Sequence, residues 1–195
     1  MKLKHISHLI TGSVMELFGV MADGKVVNSY ELTNKRGAKL KVINYGATVT
    51  SLKIPLKSGE MVDVVLGFDT LENYINSFDL ESAPYLGATV GRYAGRINNA
   101  TFNLNGEIIH LDKNNNGHSL HGGKDNFSKK VWEVKNVNEG CSPSITFGYL
   151  SPANEGNYPG DLSVELTYTL SENNELIIEY NAQTTEDTVL NLTHH

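Results

Sequence analysis

Residues 162–181 read LSVELTYTLSENNELIIEYN, and this stretch decides the fold class. Apolar residues recur at every second position through residues 162–170, and residues 175–181 continue in a strand-like pattern, as expected of β-strands. The polar run at residues 171–174 separates the two segments and is typical of a turn. The stretch therefore predicts two strands joined by a short turn.

The same period of two extends over most of the chain. The strongest local signal is Asn105-Gly106, a dipeptide that favours a two-residue hairpin turn between residues 102–104 and 107–111. Further strands are predicted at residues 25–32, 38–44, 47–55, 61–67, 144–150 and 189–193. Only residues 14–20 and 70–75 are candidates for short helices. About ten short strands at regular spacing predict an all-β sandwich or barrel.

Composition agrees with a turn-rich sheet protein of one domain. The chain has 195 residues, with 21 Asn beside 18 Gly, and both residue types tolerate the backbone conformations of tight turns. Because no repeat or shift of composition divides the sequence, we expect residues 1–195 to form a single domain. A coiled coil and a disordered chain are excluded on composition.

Charge and cysteine content exclude several classes of partner. The net charge is −6 with no basic run, so nucleic acid is not expected as a ligand. The single cysteine, Cys141, excludes an internal disulfide framework and a multi-cysteine metal site. No membrane span is expected, because no run of 18 apolar residues occurs. Residues 1–11 make a poor signal peptide, so we expect a cytoplasmic protein, or a periplasmic or secreted one if a targeting segment was removed.

Two glycine-rich segments could carry a site. In residues 91–97, GRYAGRI, Arg92 and Arg96 could clamp an anion or hydroxyl groups, or could make ordinary surface ion pairs. In residues 114–123, NNNGHSLHGG, His121 precedes two glycines and could face a cleft. The alternatives for His118 and His121 are satisfied structural histidines or a metal ligand, and the spacing does not favour a metal.

Two further segments are ambiguous from the residues alone. Residues 191–195, NLTHH, could place a histidine at a strand end as a general acid or base, or could begin a purification tag. Residues 156–162 predict a turn around Pro159-Gly160, with Tyr158 and Asp161 at the rim of a site. The candidate carboxylates show no pair with an evident catalytic spacing; they are Asp63, Asp69, Glu155 and Asp161.

Taken together and in order, six motifs resemble the aldose 1-epimerase family, the galactose mutarotases. They are residues 44–52 (NYGA leading into SL), 63–69 (DVVLGFD), 91–97, 119–123 (SLHGG), 158–162 (YPGDL) and 191–195. The resemblance covers nearly the whole chain. It implies a large, mostly antiparallel β-sandwich and an isomerase that interconverts the α and β anomers of free aldohexoses such as galactose and glucose. It implies no metal or organic cofactor.

The resemblance also implies roles for three residues. Arg96 and His121 match substrate-binding positions, and His195 matches the histidine that acts as general acid, protonating the ring oxygen. Gly95 and His194 stand where relatives commonly have asparagine. No position here matches the family's general-base glutamate, because relatives continue past the histidine motif. We therefore expect an N-terminal portion of the enzyme, a sandwich incomplete at its C-terminus and inactive alone.

Two alternatives remain. One is a non-catalytic sugar-binding β-sandwich module that keeps Arg96 and His121. The other is an epimerase of hexose 6-phosphates, which needs an added cationic site, for which Arg92 is the nearby candidate.

Overall fold

The computed structural model describes residues 13–195, so the interpretation of residues 1–11 as a poor signal peptide lies outside the described residues. The described part is built mainly of antiparallel strands. In chain order they are β1 (Ser13–Val20), β2 (Val26–Thr33), β3 (Lys39–Ile43), β4 (Thr48–Pro55), β5 (Met61–Asp63), β6 (Thr89–Val90), β7 (Arg96–Ile97), β8 (Thr101–Leu104), β9 (Glu107–His110), β10 (Ser119–Leu120), β11 (Glu133–Asn138), β12 (Ser144–Ser151), β13 (Leu162–Leu170), β14 (Leu176–Thr184) and β15 (Thr193–His194).

Two larger sheets are formed from strands that are neighbours in sequence. One sheet has five strands in the order β1-β2-β3-β4-β5, and the other has four in the order β11-β12-β13-β14. Residues 162–181, which predicted two strands joined by a turn, lie in the β13–β14 hairpin. Its register runs from Leu162↔Thr184 to Leu170↔Leu176. Each strand pairs with the one that precedes it, as short turns require.

The core lies between these two sheets. Leu40 and Val42 of β3 belong to the same buried cluster as Phe147 of β12 and Leu166 of β13. Because the apolar side chains of both sheets face each other, the arrangement is a β-sandwich. The all-β, mostly antiparallel sandwich predicted from the sequence is thus confirmed.

The two helix predictions had opposite outcomes. Helix α1 spans Leu71–Phe78, where Thr70 caps the N-terminus by accepting a hydrogen bond from the Asn73 backbone N–H. The helix prediction at residues 14–20 is wrong. That segment lies in β1, an edge strand of the five-stranded sheet that pairs with β2 and has a register shift between Leu17 and Gly19.

Three short strand pairs lie outside the two large sheets. They are β6 with β15, β7 with β10, and β8 with β9. The β8–β9 pair is the hairpin predicted across Asn105-Gly106. Of the final strand predicted at residues 189–193, only Thr193 lies in a strand, β15, and Asn191 forms an isolated bridge with Tyr93. Single turns of 3₁₀ helix occur at Asn98–Ala100, Phe127–Lys129 and Glu155–Asn157.

Among residues 13–195, none of the helices has the length and apolar character needed to span a membrane.

Candidate functional site

A cleft of about 180 Å³ lies where the β7–β10 pair meets the segment after helix α1. Its lining residues come from that segment and from the loops around β7 and β10; they are Glu81, Ser82, Ala83, Tyr85, Arg96, Asn114, Asn115, Leu120 and His121. Two of the three predicted site residues, Arg96 and His121, are therefore in one cleft.

The β7–β10 ladder explains how two residues 25 positions apart meet. Leu120 lies directly opposite Arg96 in the register. His121 continues the ladder, because its backbone N–H donates to the Gly95 carbonyl at 3.0 Å. Arg96 and His121 thus lie one residue apart in the register of the strand pair, and both line the cleft.

The β6–β15 pair positions His195, the third predicted site residue. His194 lies opposite Thr89 in the register. The ladder extends by one residue, since the His195 N–H donates to the Ala88 carbonyl at 3.0 Å and its own carbonyl accepts from the Gly87 N–H at 2.8 Å. Main-chain hydrogen bonds therefore fix the position of His195.

The two adjacent histidines point to opposite sides of this strand, as successive strand residues do. The His194 ring packs edge-on against Tyr168 in the core, with its centroid 5.7 Å away, and its Nε2 atom is buried without a hydrogen-bond partner. Burial lowers the pKa of His194 from 6.5 to about 4. His194 is consequently neutral at physiological pH.

His195 lies on the cleft side, beside His121. Their ring centroids are 5.0 Å apart, and the Tyr85 ring contacts both, at 6.1 Å from His121 and 6.4 Å from His195. The Nδ1 atom of His195 is 2.7 Å from the Pro84 carbonyl. A carbonyl only accepts, so we assign the proton to Nδ1, which leaves Nε2 as the nitrogen that can gain or lose a proton.

His121 has the opposite tautomer. Its Nδ1 accepts a hydrogen bond from the Gly95 N–H at 3.2 Å, so the neutral ring carries its proton on Nε2 and acts there as a donor. Burial lowers the pKa of His121, and the neighbouring charges of His195 and Arg96 act in the same direction. The cleft thus combines an imidazole held neutral with a second one whose Nε2 is exchangeable.

Arg92 is not part of this cleft. Its side chain is buried at 2% exposure, and all five N–H groups are used. Nε donates to the Ser151 hydroxyl, and the two terminal nitrogens donate to the carbonyls of Ser151, Pro152, Pro159 and Gly160, each at 2.9 Å. Both sequence interpretations of Arg92, as an anion clamp and as a surface ion pair, are therefore wrong.

Other sequence candidates also have structural positions. Tyr158 is buried at 1% exposure, so its assignment to the rim is wrong, whereas Asp161 is exposed. His118 accepts a hydrogen bond from the Asn99 N–H at 3.0 Å, as a structural histidine does. The four carboxylates considered from the sequence do not line the cleft; Glu155, for example, binds Tyr149, Ser151 and Lys130.

No group of three or more His, Cys, Asp or Glu side chains with metal-binding geometry occurs among residues 13–195.

Sequence reasoning missed several residues of the cleft. Tyr85 has a left-handed backbone (φ +47°), and its hydroxyl accepts a hydrogen bond from the Asn126 amide at 2.9 Å. Asn115 accepts from Nε of Arg96 at 3.0 Å. Tyr85 lies in no motif, whereas Asn115 lies in the 114–123 segment, but its contact with Arg96 depends on the path of the loop.

A β-sandwich with a small polar cleft, an arginine fork and two crossed imidazoles defines a class of sheet protein suited to a hydroxyl-rich small molecule. Comparison with known proteins narrows the class. The family model described as aldose 1-epimerase matches residues 28–195. The chain belongs to the aldose 1-epimerase family, as its six motifs predicted.

Curated relatives carry two related names. The chain is 41% identical over 157 residues to the galactose mutarotase of Bos taurus, a match that covers 80% of this chain and 43% of the relative. It is 38% identical over 180 residues to that of Homo sapiens, covering 92% and 49%. It is 37% identical over 177 residues to the aldose 1-epimerase of Haemophilus influenzae, covering 89% and 48%. The chain spans about half the length of the curated relatives it matches.

Solved structures agree with the fold. The galactose 1-epimerase of Lactobacillus acidophilus superposes with a TM-score of 0.80 at 27% identity, covering 94% of this chain and 52% of that one. An aldose epimerase homologue from C. elegans gives a TM-score of 0.75 at 36% identity, covering 85% and 48%.

Proposed function

We propose that this chain supplies the sugar-binding and proton-donating side of an aldose 1-epimerase site for free aldohexoses such as galactose or glucose. The observation that carries the proposal is the contact of the His121 and His195 rings, 5.0 Å apart, beside a cleft that Arg96 lines. Membership of the family, and relatives named galactose mutarotase and aldose 1-epimerase, support the same reaction.

The proposed chemistry is a proton transfer at each side of the ring C–O bond. The cationic His195 gives its Nε2 proton to the ring oxygen, which takes the electron pair of the breaking bond to C1. A carboxylate accepts the proton of the C1 hydroxyl, so that C1 becomes an aldehyde carbon. Rotation about C1–C2 and the reverse transfers close the ring as the other anomer.

The remaining groups orient the sugar. His121 is neutral and donates from Nε2, because the Gly95 N–H occupies Nδ1. Arg96 presents its two terminal nitrogens as a planar fork, because among residues 13–195 only its Nε is engaged, by Asn115. Pro84 holds the Nδ1 proton of His195 and so directs proton exchange to Nε2.

No residue of the chain is assigned as the carboxylate base. None of its positions matches the family motif for that glutamate, and this includes Glu81, the one carboxylate that lines the cleft in the described part of the chain. We propose that the 195-residue chain binds sugar but does not by itself accelerate mutarotation.

The two alternatives fare differently. Arg92 was the candidate for binding the phosphate of a hexose 6-phosphate. It is buried and fully hydrogen-bonded to Ser151, Pro152, Pro159 and Gly160, so it cannot bind that phosphate. A non-catalytic sugar-binding module keeps the same cleft and differs only in turnover. Binding without turnover in a protein that combines this cleft with a carboxylate base would favour that module.

The test combines binding and polarimetry. NMR titration of the 15N-labelled chain with galactose should show binding, which Arg96→Ala weakens by about tenfold through loss of charged hydrogen bonds. Arg36→Ala, an equal change at an exposed turn, should leave binding unaltered. The optical rotation of fresh α-D-glucose should decay as in buffer. Acceleration that His195→Ala abolishes would contradict the missing base, and a chain that binds no sugar would contradict the proposal as a whole.

A further inference from the structure

Residues 81–83 form one wall of the cleft and have no role in the proton transfers proposed for the mutarotation reaction. This segment follows helix α1 and brings Glu81 to the same cleft as Arg96 and His121. Glu81 is exposed, and among residues 13–195 its carboxylate has no hydrogen bond or ion pair. The cleft therefore contains an unpaired negative charge.

Arg96 is likewise unpaired with any carboxylate in the described part of the chain. Its Nε donates to Asn115, and its terminal nitrogens have no partner there. Arg96 and Glu81 line one cleft of about 180 Å³ without forming an ion pair. Opposite charges that face a shared space and do not neutralise each other can both bind a ligand placed between them.

The loop that carries Asn115 holds the arginine in this position. Asn114 accepts from the Leu120 N–H at 2.8 Å and donates to the Leu120 carbonyl at 2.9 Å. This double hydrogen bond anchors the loop to β10, directly opposite Arg96 in the register. The Asn115 side chain that accepts from Nε of Arg96 is thus carried by an anchored loop.

Glu81 supplies a hydrogen-bond acceptor to a cleft whose other charged and ring groups are donors. Arg96 has only donors, and the free nitrogen of His121, Nε2, is a donor. The side-chain oxygens of Asn115 and Asn114 already accept hydrogen bonds. A sugar hydroxyl must also give its own proton to an acceptor, and Glu81 is the one carboxylate among the residues that line the described cleft.

Arg96, His121 and Glu81 share one open cleft of about 180 Å³. A pyranose that contacts Arg96 and His121 there occupies the same cleft that Glu81 lines. A carboxylate there can accept from two neighbouring hydroxyls at once, which depends on their relative orientation.

We propose that Glu81 is a sugar-binding residue that determines specificity, accepting hydrogen bonds from the hydroxyls opposite the Arg96 fork. This inference rests on the proposed function, because it needs a free aldohexose in the cleft. It adds a residue outside the proton-transfer groups, on the segment between α1 and Tyr85. The hydroxyl pattern that this chain prefers is then set in part by Glu81.

The experiment is a thermodynamic cycle between side chain and hydroxyl. Galactose and its monodeoxy derivatives are titrated by NMR into the wild-type chain and into Glu81→Gln, which keeps size and removes the charge. We expect Glu81→Gln to weaken galactose binding about tenfold. Glu60→Gln, the same change in an exposed turn, should alter binding less than twofold. The deoxy sugar that lacks the hydroxyl facing Glu81 should bind both proteins equally.

The outcomes separate the two proposals. If Glu81→Gln binds every sugar as the wild type does, while Arg96→Ala loses binding, the assignment of Glu81 is overturned and the proposed function stands. If the wild type binds no aldohexose, both are overturned. Glu81 is exposed, so its variant should retain the wild-type NMR spectrum away from the cleft, which verifies that the fold is intact.

Discussion

The buried imidazole of His194 should make the stability of the protein depend on pH in a way that can be assigned to one residue. The ring packs against Tyr168, and its Nε2 has no partner in the described part of the chain. Burial lowers its pKa from 6.5 to about 4. The folded state therefore resists protonation of His194, whereas the unfolded chain accepts the proton readily.

The sign and size follow from linkage. As pH falls below 6.5, the unfolded state binds the proton first, so the free energy of unfolding decreases until the folded pKa near 4 is reached. At about 1.4 kcal/mol per pKa unit, this interval corresponds to about 3 kcal/mol, and roughly 2 kcal/mol is already lost at pH 5. Above pH 6.5 this contribution is constant.

Urea denaturation at a series of pH values between 4 and 8 measures the effect. His194→Asn replaces the titrating ring by a neutral amide and should flatten the dependence between pH 6.5 and 4 by that amount. His110→Asn, the same change at an exposed position of β9, should leave the dependence as in the wild type. Parallel curves for the wild type and His194→Asn, or an NMR titration of His194 near pH 6.5, would refute the reasoning.

Two further changes test how the loops are held. Arg92→Lys should lower the free energy of unfolding by about 3 kcal/mol or more, because an ammonium group cannot reach all five acceptors of the guanidinium; a loss below 1 kcal/mol by urea denaturation would contradict this. Gly122→Ala should cost about 3 kcal/mol, since a Cβ there would lie 2.0 Å from the Gly91 carbonyl oxygen, whereas Gly106→Ala, with the same positive φ but open space, should cost about 1 kcal/mol. Equal thermal melting temperatures for the two alanine variants would show that the overlap relaxes.

Strands with regular alternation were predictable from the sequence, whereas two strands with register shifts, β1 and β11, were not; β3 and β4 were predicted despite a shift between them. β13 alternates buried and less buried residues along its whole length. In β11, Val134 and Val137 both pack against the core although they are three residues apart, because the register shifts between Val134 and Asn136. That bulge breaks the period of two, so β11 was missed. The register shift in β1 explains the wrong helix prediction there in the same way.

Residues of the candidate site were predictable from the sequence where they belong to a motif that lies at the end of a strand. Arg96, His121 and His195 were identified from their motifs, and the strand pairs β7–β10 and β6–β15 bring them to one place. Tyr85 and Glu81 were not identified, because only the three-dimensional course of the segment after α1 places them there. The contacts of Arg92 could not be predicted from the sequence either, since its acceptors lie 59 to 68 residues away.

The way Arg92 is held has a consequence for how this position varies during evolution. Four of its five acceptors are main-chain carbonyls, in residues Ser151, Pro152, Pro159 and Gly160. A carbonyl is present whatever the side chain, so drift at the partner positions leaves these bonds intact as long as the chain keeps its course. Contacts between side chains are revealed in sequence alignments by coupled substitutions. The covariation signal of Arg92 with its partner positions should therefore be weak. The residue should be nearly invariant and yet have few covarying partners.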